Sequence, residues 1–141
     1  MIRKYREADI EQILDIWLSA SIEAHSFVGS EFWQSKVSEM RDIYIPASET
    51  FVCEADGQIA GFYCLYGNTL AAVFVLPSLQ GNGIGSALIE DAKSRRACLQ
   101  LSVYRQNASS INFYKKHGFI ALSEQIDEQT GHPEFIMEHY C

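Results

Sequence analysis

The chain has 141 residues, a length expected to form one domain over 1–141 that buries roughly 68–70% of its unfolded surface. Its 48% hydrophobic and 21% charged content excludes a disordered or fibrous protein, and its net charge of −7 argues against a general nucleic-acid binder. The charge is unevenly spread: residues 92–123 hold six bases and no acid, whereas the segments on either side are acidic.

The start Met1-Ile2-Arg3-Lys4-Tyr5-Arg6-Glu7 leads into no apolar core of a signal peptide, so a cytoplasmic protein is expected. The longest run free of polar side chains and glycine, Leu70 to Pro77, falls far short of the ~20 residues of a membrane span. The four cysteines and four histidines show no metal-ligand spacing, so no metal site is expected. Free thiols are expected in a reducing compartment, and Cys53 and Cys64 read as small strand hydrophobes.

In chain order, Ile2 to Tyr5 reads as a short strand. Ile10, Ile13, Leu14, Trp17 and Leu18 then form one apolar stripe at helical spacing, with Asp9 and Glu11 in the first turn. A loop around Gly29 precedes a second helix, with Ser30 as its cap. Trp33, Val37, Met40 and Tyr44 share one face of it, and Pro46 is its stop. Phe51 to Cys53 and Ile59 to Tyr66 flank Asp56-Gly57, a strong hairpin signal. Leu70 to Leu76 is continuously apolar and predicts a strand buried on both faces. A glycine-rich stretch opens a helix with Ile84, Leu88, Ile89 and Ala92 on one side. Leu99 to Tyr104 predicts a strand and Ser109 to His117 a helix closed by Gly118. Phe119 to Ile126 and Phe135 to Tyr140 predict the last strands. The order β-α-α-β-β-β-α-β-α-β-β is that of a mixed α/β (α+β) fold.

The most informative segment runs from Val75 to Ser86. A strand stops at Pro77, and glycines at 81, 83 and 85 open a helix. Glycine lets main-chain N–H groups approach a ligand, and a helix N-terminus favours an anion. A nucleotide P-loop needs a lysine that is missing here. The dinucleotide fingerprint needs a glycine where Ser86 stands. By itself the loop is either a phosphate cradle or a glycine turn without a ligand.

The spacing Gln80-x-x-Gly83-x-Gly85, followed by Asn107-Ala108-Ser109-Ser110-Ile111-Asn112-Phe113-Tyr114-Lys115-Lys116-His117-Gly118-Phe119, resembles the GCN5-related N-acetyltransferases. The resemblance spans essentially the whole chain and rests on two separated motifs. It implies a central, mostly antiparallel twisted sheet with splayed strands and flanking helices, and acetyl-CoA as co-substrate. It places the main chain of Phe74 and Val75 on the pantetheine arm, and Gln80, Gly81, Asn82, Gly83, Ile84, Gly85 and Ser86 around the pyrophosphate. Asn107 is implied to contact the cofactor arm, and Tyr114 to protonate the departing thiolate. Such a donor is reasonable for a thiolate with a pKa of ~8.5. The N–H of Val75 would polarise the carbonyl. Lys116, with Lys115 and Arg105, is expected to face the CoA phosphates.

The general base stays open. Leu70 to Val75 carries no ionisable side chain, which leaves water relayed to Glu54, to His25 or to a carbonyl. His25-Ser26-Phe27 is similar to a feature of a small bacterial branch of the family and makes His25 and Phe27 candidates for the acceptor site. The alternative is a hydrogen-bonded loop histidine and a core phenylalanine. His117, His132 and His139 read as surface groups. The acidic first third suits a cationic primary amine: a lysine side chain, a peptide N-terminus or a small amine. A non-catalytic acyl-CoA sensor and, remotely, a tRNA-acetylating toxin are the alternatives. No nucleic acid or membrane partner is expected, and a monomer and a homodimer are equally compatible.

Overall fold

The computed structural model describes residues 1–139. Its elements are β1 (Ile2–Lys4), a 3-10 turn (Glu7–Asp9), α1 (Ile10–Ala24), α2 (Ser30–Ser35), α3 (Val37–Glu39), a π-helical stretch (Met40–Tyr44) and α4 (Ile45–Ala47). They continue as β2 (Glu49–Ala55), β3 (Gln58–Tyr66), β4 (Thr69–Val75), α5 (Ile84–Arg95), β5 (Leu99–Tyr104), α6 (Ala108–Lys116), β6 (Phe119–Ile126) and β7 (Pro133–His139). The strands form one sheet in the order β1-β2-β3-β4-β5-β7-β6, antiparallel except between β4 and β5. This is the expected mixed α/β class. Strand β7 lies between β5 and β6, so it is an interior strand and β6 is the edge; Tyr140, expected to extend it, lies outside the described residues.

Strand alternation separates two apolar layers. Tyr63, Leu88, Ile89, Leu99, Leu101, Phe119 and Met137 fill the layer under α5 and α6. Ile13, Trp17, Trp33, Ile45, Val52 and Phe62 fill the other, under α1. Cys53 and Cys64 are free thiols in opposite layers. Cys98 is disulfide-bonded, contrary to the expectation that all thiols are free. The α1 stripe is turned slightly from its expected position: Ile16 and Ala20 are buried, while Ile10 and Leu18 are half-buried.

The second helix is not continuous. Gly29 (φ 95°) takes the cap position expected of Ser30, and the chain proceeds in short pieces through Ala47. Pro46 sits within the last piece rather than stopping the helix before it. Met40 and Ile45 are both buried although five residues apart, whereas Tyr44 is exposed. An α-helix turns 3.6 residues at a time and cannot put both on one face. A π-helical turn, closed here by the Ile45 N–H donating to the Met40 carbonyl, does so.

Arg3 ties the first strand to the rest. Its Nη1 and Nη2 donate to Asp9 Oδ2 and Oδ1 at 2.9 and 3.0 Å, and its Nε donates to Glu54 at 2.8 Å. The Arg6 N–H adds a bond of 2.8 Å to Asp9. Asp9 therefore does more than complement a helix dipole. Hydrogen bonds from Arg3, and next from the Arg6 main chain, outweigh burial and hold its carboxyl below the usual range. A carboxyl with a depressed folded-state pKa contributes fully above its unfolded value of about 4 and loses that contribution on further acidification. Asp9→Asn is expected to lower stability at pH 7 by about 1–3 kcal/mol. The gap from wild type should close at low pH, as read by urea denaturation across the pH range.

Gly61 on β3 is set by close approach: a Cβ there would stand 2.8 Å from the Phe74 carbonyl oxygen and 3.1 Å from the Leu88 side chain. Gly61→Ala is expected to cost roughly 1–3 kcal/mol through forced repacking, read as a lower urea midpoint with an unchanged slope.

Candidate active site

The site begins with two strands that part. Beyond the pair Thr69–Gln100, with the Gln100 N–H donating to the Asn68 carbonyl at 3.0 Å, β4 and β5 make no further pairing. Strand β4 stays registered on β3 to Val75, and β5 stays registered on β7 to Tyr104. A wedge opens between them. For this reason β4 is largely half-buried rather than covered on both faces.

The Leu76 N–H donates to the Ala60 carbonyl at 2.8 Å. Antiparallel strands alternate their hydrogen-bonding direction residue by residue. Leu76 and Phe74 therefore direct their main-chain groups at β3, and Val73 and Val75 direct theirs into the wedge. The Phe74 carbonyl beside Gly61 agrees with this phase. Phe74, implied by the resemblance to present its main chain, turns it toward β3 and lines the cleft with its side chain.

A 3-10 turn (Pro77–Leu79) carries the chain from β4 to α5. Gly83 caps α5 with φ 80° and ψ 4°. The first helical bond is Ala87 N–H to the Gly83 carbonyl, which leaves the N–H groups of Ile84, Gly85 and Ser86 without helical partners. Among the described residues, none beyond the immediate chain neighbours comes within 4 Å of a Cβ built on Gly81 or Gly83. Gln80, Gly81, Gly83, Ile84, Gly85 and Ser86 line the cleft; Asn82 does not, and its amide donates to the Leu79 carbonyl at 3.0 Å. An open, donor-rich turn of this kind fits a phosphate.

Asn107 caps α6. Its Oδ1 accepts from the Ser110 N–H at 3.3 Å, which directs its Nδ2 to His25 Nε2, also at 3.3 Å. Nε2 is then an acceptor and the ring proton sits on Nδ1, which is buried without a partner among the described residues. Burial pushes His25 down to about 4, so it is neutral at physiological pH. Its ring packs against Trp33 at 5.3 Å and Tyr104 at 5.1 Å. Phe27 is not a cleft residue: it stands behind His25, against Tyr104 and His132. Tyr114 lines the cleft between Phe113 and Phe119. Burial pushes its phenol up to about 12, so it is protonated at neutral pH. The cleft has a volume of about 1150 Å³ and brings Val75, the glycine turn, Asn107, Tyr114, Lys116 and His25 together.

Four of the six bases of the basic segment are paired, two with acids on the same helix and two with acids from other strands. Arg96 pairs with Glu49 at 3.0 Å, Arg105 with Glu124 at 2.6 Å, Arg95 with Asp91 at 2.9 Å and Lys93 with Glu90 at 3.4 Å. Lys116 alone of the six lines the cleft, so the expectation fails for Lys115 and Arg105. Glu54, a candidate base, is held by Arg3 away from the cleft. His117 is not a surface group: it meets Ser86 Oγ at 3.1 Å and Glu90 at 3.5 Å, and its carbonyl accepts from Lys93. Tyr104 and Glu134 line the cleft without having been singled out from the sequence. Only the pairing of Tyr104 with Glu134 across β5 and β7 brings them there together.

Residues 46–121 match the acetyltransferase (GNAT) domain family. The peptidyl-lysine N-acetyltransferase YiaC of Escherichia coli is 34% identical over 97% of this chain and 94% of its own length. The peptidyl-lysine N-acetyltransferase YjaB of the same organism is 30% identical over 94% of this chain and 90% of its own. The solution structure of apo-YjaB superposes with a TM-score of 0.87, at 27% identity, over 99% of this chain and 96% of that one. The PaiA N-acetyltransferase of Thermoplasma acidophilum, solved with coenzyme A, shares the fold at 22% identity, with a TM-score of 0.82 over 100% of this chain and 98% of that one. Two separated motifs, a parted pair of strands and these relatives lead to one conclusion: the chain belongs to the GNAT family and is an N-acetyltransferase that uses acetyl-CoA as its co-substrate.

Proposed function

We propose that this enzyme acetylates the side-chain amine of lysine in a peptide or protein by direct attack on the thioester, with Tyr114 as general acid. The convergence of the Val75 N–H, the glycine turn and the protonated Tyr114 phenol on one wedge carries the reading. The names of the relatives YiaC and YjaB support the acceptor class.

Acetyl-CoA supplies an activated acyl group; the chain's own residues hold it and manage charge. The N–H groups opening α5 receive the pyrophosphate, and Lys116 adds a positive side chain. The main chain of Val73 and Val75 pairs with the amides of the pantetheine arm, as a β-strand would. The Val75 N–H donates to the carbonyl oxygen as negative charge gathers there. Tyr114 donates its proton to the leaving sulfur. His25 is neutral and accepts from Asn107, so it holds the acceptor wall in place rather than acting as a strong base.

Tyr114→Phe is expected to leave the Kd for acetyl-CoA within threefold and to lower kcat about 10²-fold or more, measured by calorimetry and by thiol release with a lysine peptide. Unchanged turnover removes Tyr114 from the mechanism, and binding without transfer to any amine points to an acyl-CoA sensor. Gly83→Val forces a β-branched residue into a left-handed conformation that costs about 1–3 kcal/mol and places methyl groups in the open turn. Lost acetyl-CoA binding with a retained circular dichroism spectrum is expected.

A further inference from the structure

We infer that Glu134 anchors the ammonium group of the acceptor and makes the acceptor's positive charge a condition of tight binding at this site. This inference rests on the lysine-acetylating reading above.

Among the described residues, Glu134 is the only carboxylate that lines the cleft, and Lys116 is the only lysine or arginine. They belong to different layers. Lys116 is on α6, whose Ile111, Phe113 and Tyr114 pack in the layer with α5. Glu134 is directly opposite Tyr104. Leu101 and Val103 point into the α5 layer, so alternation puts Tyr104 on the α1 side, where it packs with His25, and opposed residues share a face. The cleft is therefore electrically polar across the sheet, with a cation on the α5 side and an anion on the α1 side.

Glu134 is also held and uncompensated. Gln125 Nε2 donates to its Oε1 at 2.7 Å, which fixes the carboxylate and leaves Oε2 available. No lysine, arginine or histidine pairs with it among the described residues, whereas Glu49, Glu54, Glu90, Asp91 and Glu124 each have a cationic partner. Next to it, Asp127 accepts from Tyr104 Oη at 2.5 Å and Thr130 Oγ1 at 3.1 Å, adding a second negative charge at this end. His25 is neutral, so it does not repel an incoming cation. A half-buried carboxylate without a counter-charge is favourably completed by a cation, and the acceptor of this reaction is one.

The chemistry favours an anchor over a base. A lysine ammonium and a carboxylate differ by about six pKa units, too far for Glu134 to strip the proton efficiently. Its effect therefore belongs in acceptor binding, with the proton leaving to solvent before attack.

The experiment compares wild type with Glu134→Gln on a lysine peptide and on the same peptide carrying an aminooxy group, which is uncharged at neutral pH. In E134Q the KM for the lysine peptide should rise about tenfold, equivalent to about 1.4 kcal/mol, with kcat and the Kd for acetyl-CoA within twofold. The KM for the aminooxy peptide should stay within twofold. An unchanged lysine KM, an equal loss for both peptides, or a fall in kcat alone overturns the anchor. If E134Q no longer binds acetyl-CoA, wild type decides by itself: its KM for the lysine peptide must rise with ionic strength while that for the aminooxy peptide does not. A wild-type enzyme that binds acetyl-CoA but acetylates neither peptide overturns the lysine reading, and the anchor with it.

Discussion

The parting of β4 from β5 is the constraint on which the site depends. Each strand is fully committed elsewhere, β4 to β3 and β5 to β7, and one residue pair joins them. The N–H and C=O groups that would have closed the sheet between them are left facing a cleft. These groups form an open strand edge, free to pair with whatever enters the cleft. The same geometry sends the chain from the end of β4 through a glycine turn into the N-terminus of α5, which sets an anion-binding turn beside the amide-binding edge. Gly61 lets β3 lie against β4 and α5 at this point, because a Cβ there would stand 2.8 Å from the Phe74 carbonyl oxygen.

Electrostatics is arranged by cancellation. The basic segment is neutralised by Glu49, Glu90, Asp91 and Glu124, and Arg95 lies over the Phe51 ring at 3.9 Å. Lys116 is left at the cleft on one layer, and Glu134 on the other. Exposed ion pairs contribute little to stability, typically 0–1 kcal/mol. Their consequence here is spatial: they offset four of the six bases of the segment, while Lys116 and Glu134 line the cleft with no ion pair among the described residues.

His25 shows how a cap propagates into a site. The Asn107 side chain is pinned by the first turn of α6, so its amide nitrogen has one remaining direction, toward His25. That contact joins the end of α1 to the start of α6 and selects the histidine tautomer. Surrounded by Trp33, Phe27 and Tyr104, the imidazole is kept neutral by desolvation. The wall of the cleft around His25 is thus aromatic and uncharged up to Glu134.

The sequence by itself determined the element order, the Asp56-Gly57 hairpin, the glycine turn and the two motifs that place the chain in its family, because turn chemistry, capping and hydrophobic period act within a few residues. It was misleading where partners come from far along the chain. Pro46 suggested a stop, yet Met40 and Ile45 are buried together through a π turn, and α4 then carries the chain past the proline to Ala47. Six bases suggested a phosphate dock, yet Glu49 and Glu124 claim two of them. Phe27 suggested a pocket wall, yet it packs behind His25. Tertiary structure alone decided which main-chain groups of β4 face the wedge, since that depends on the phase of pairing with β3. It alone brought Glu134 into the cleft, since that depends on the register of β7 on β5. Register is set by which faces are buried and by the turn that joins two strands, and no turn joins β5 to β7, which are separated in the chain by α6 and β6.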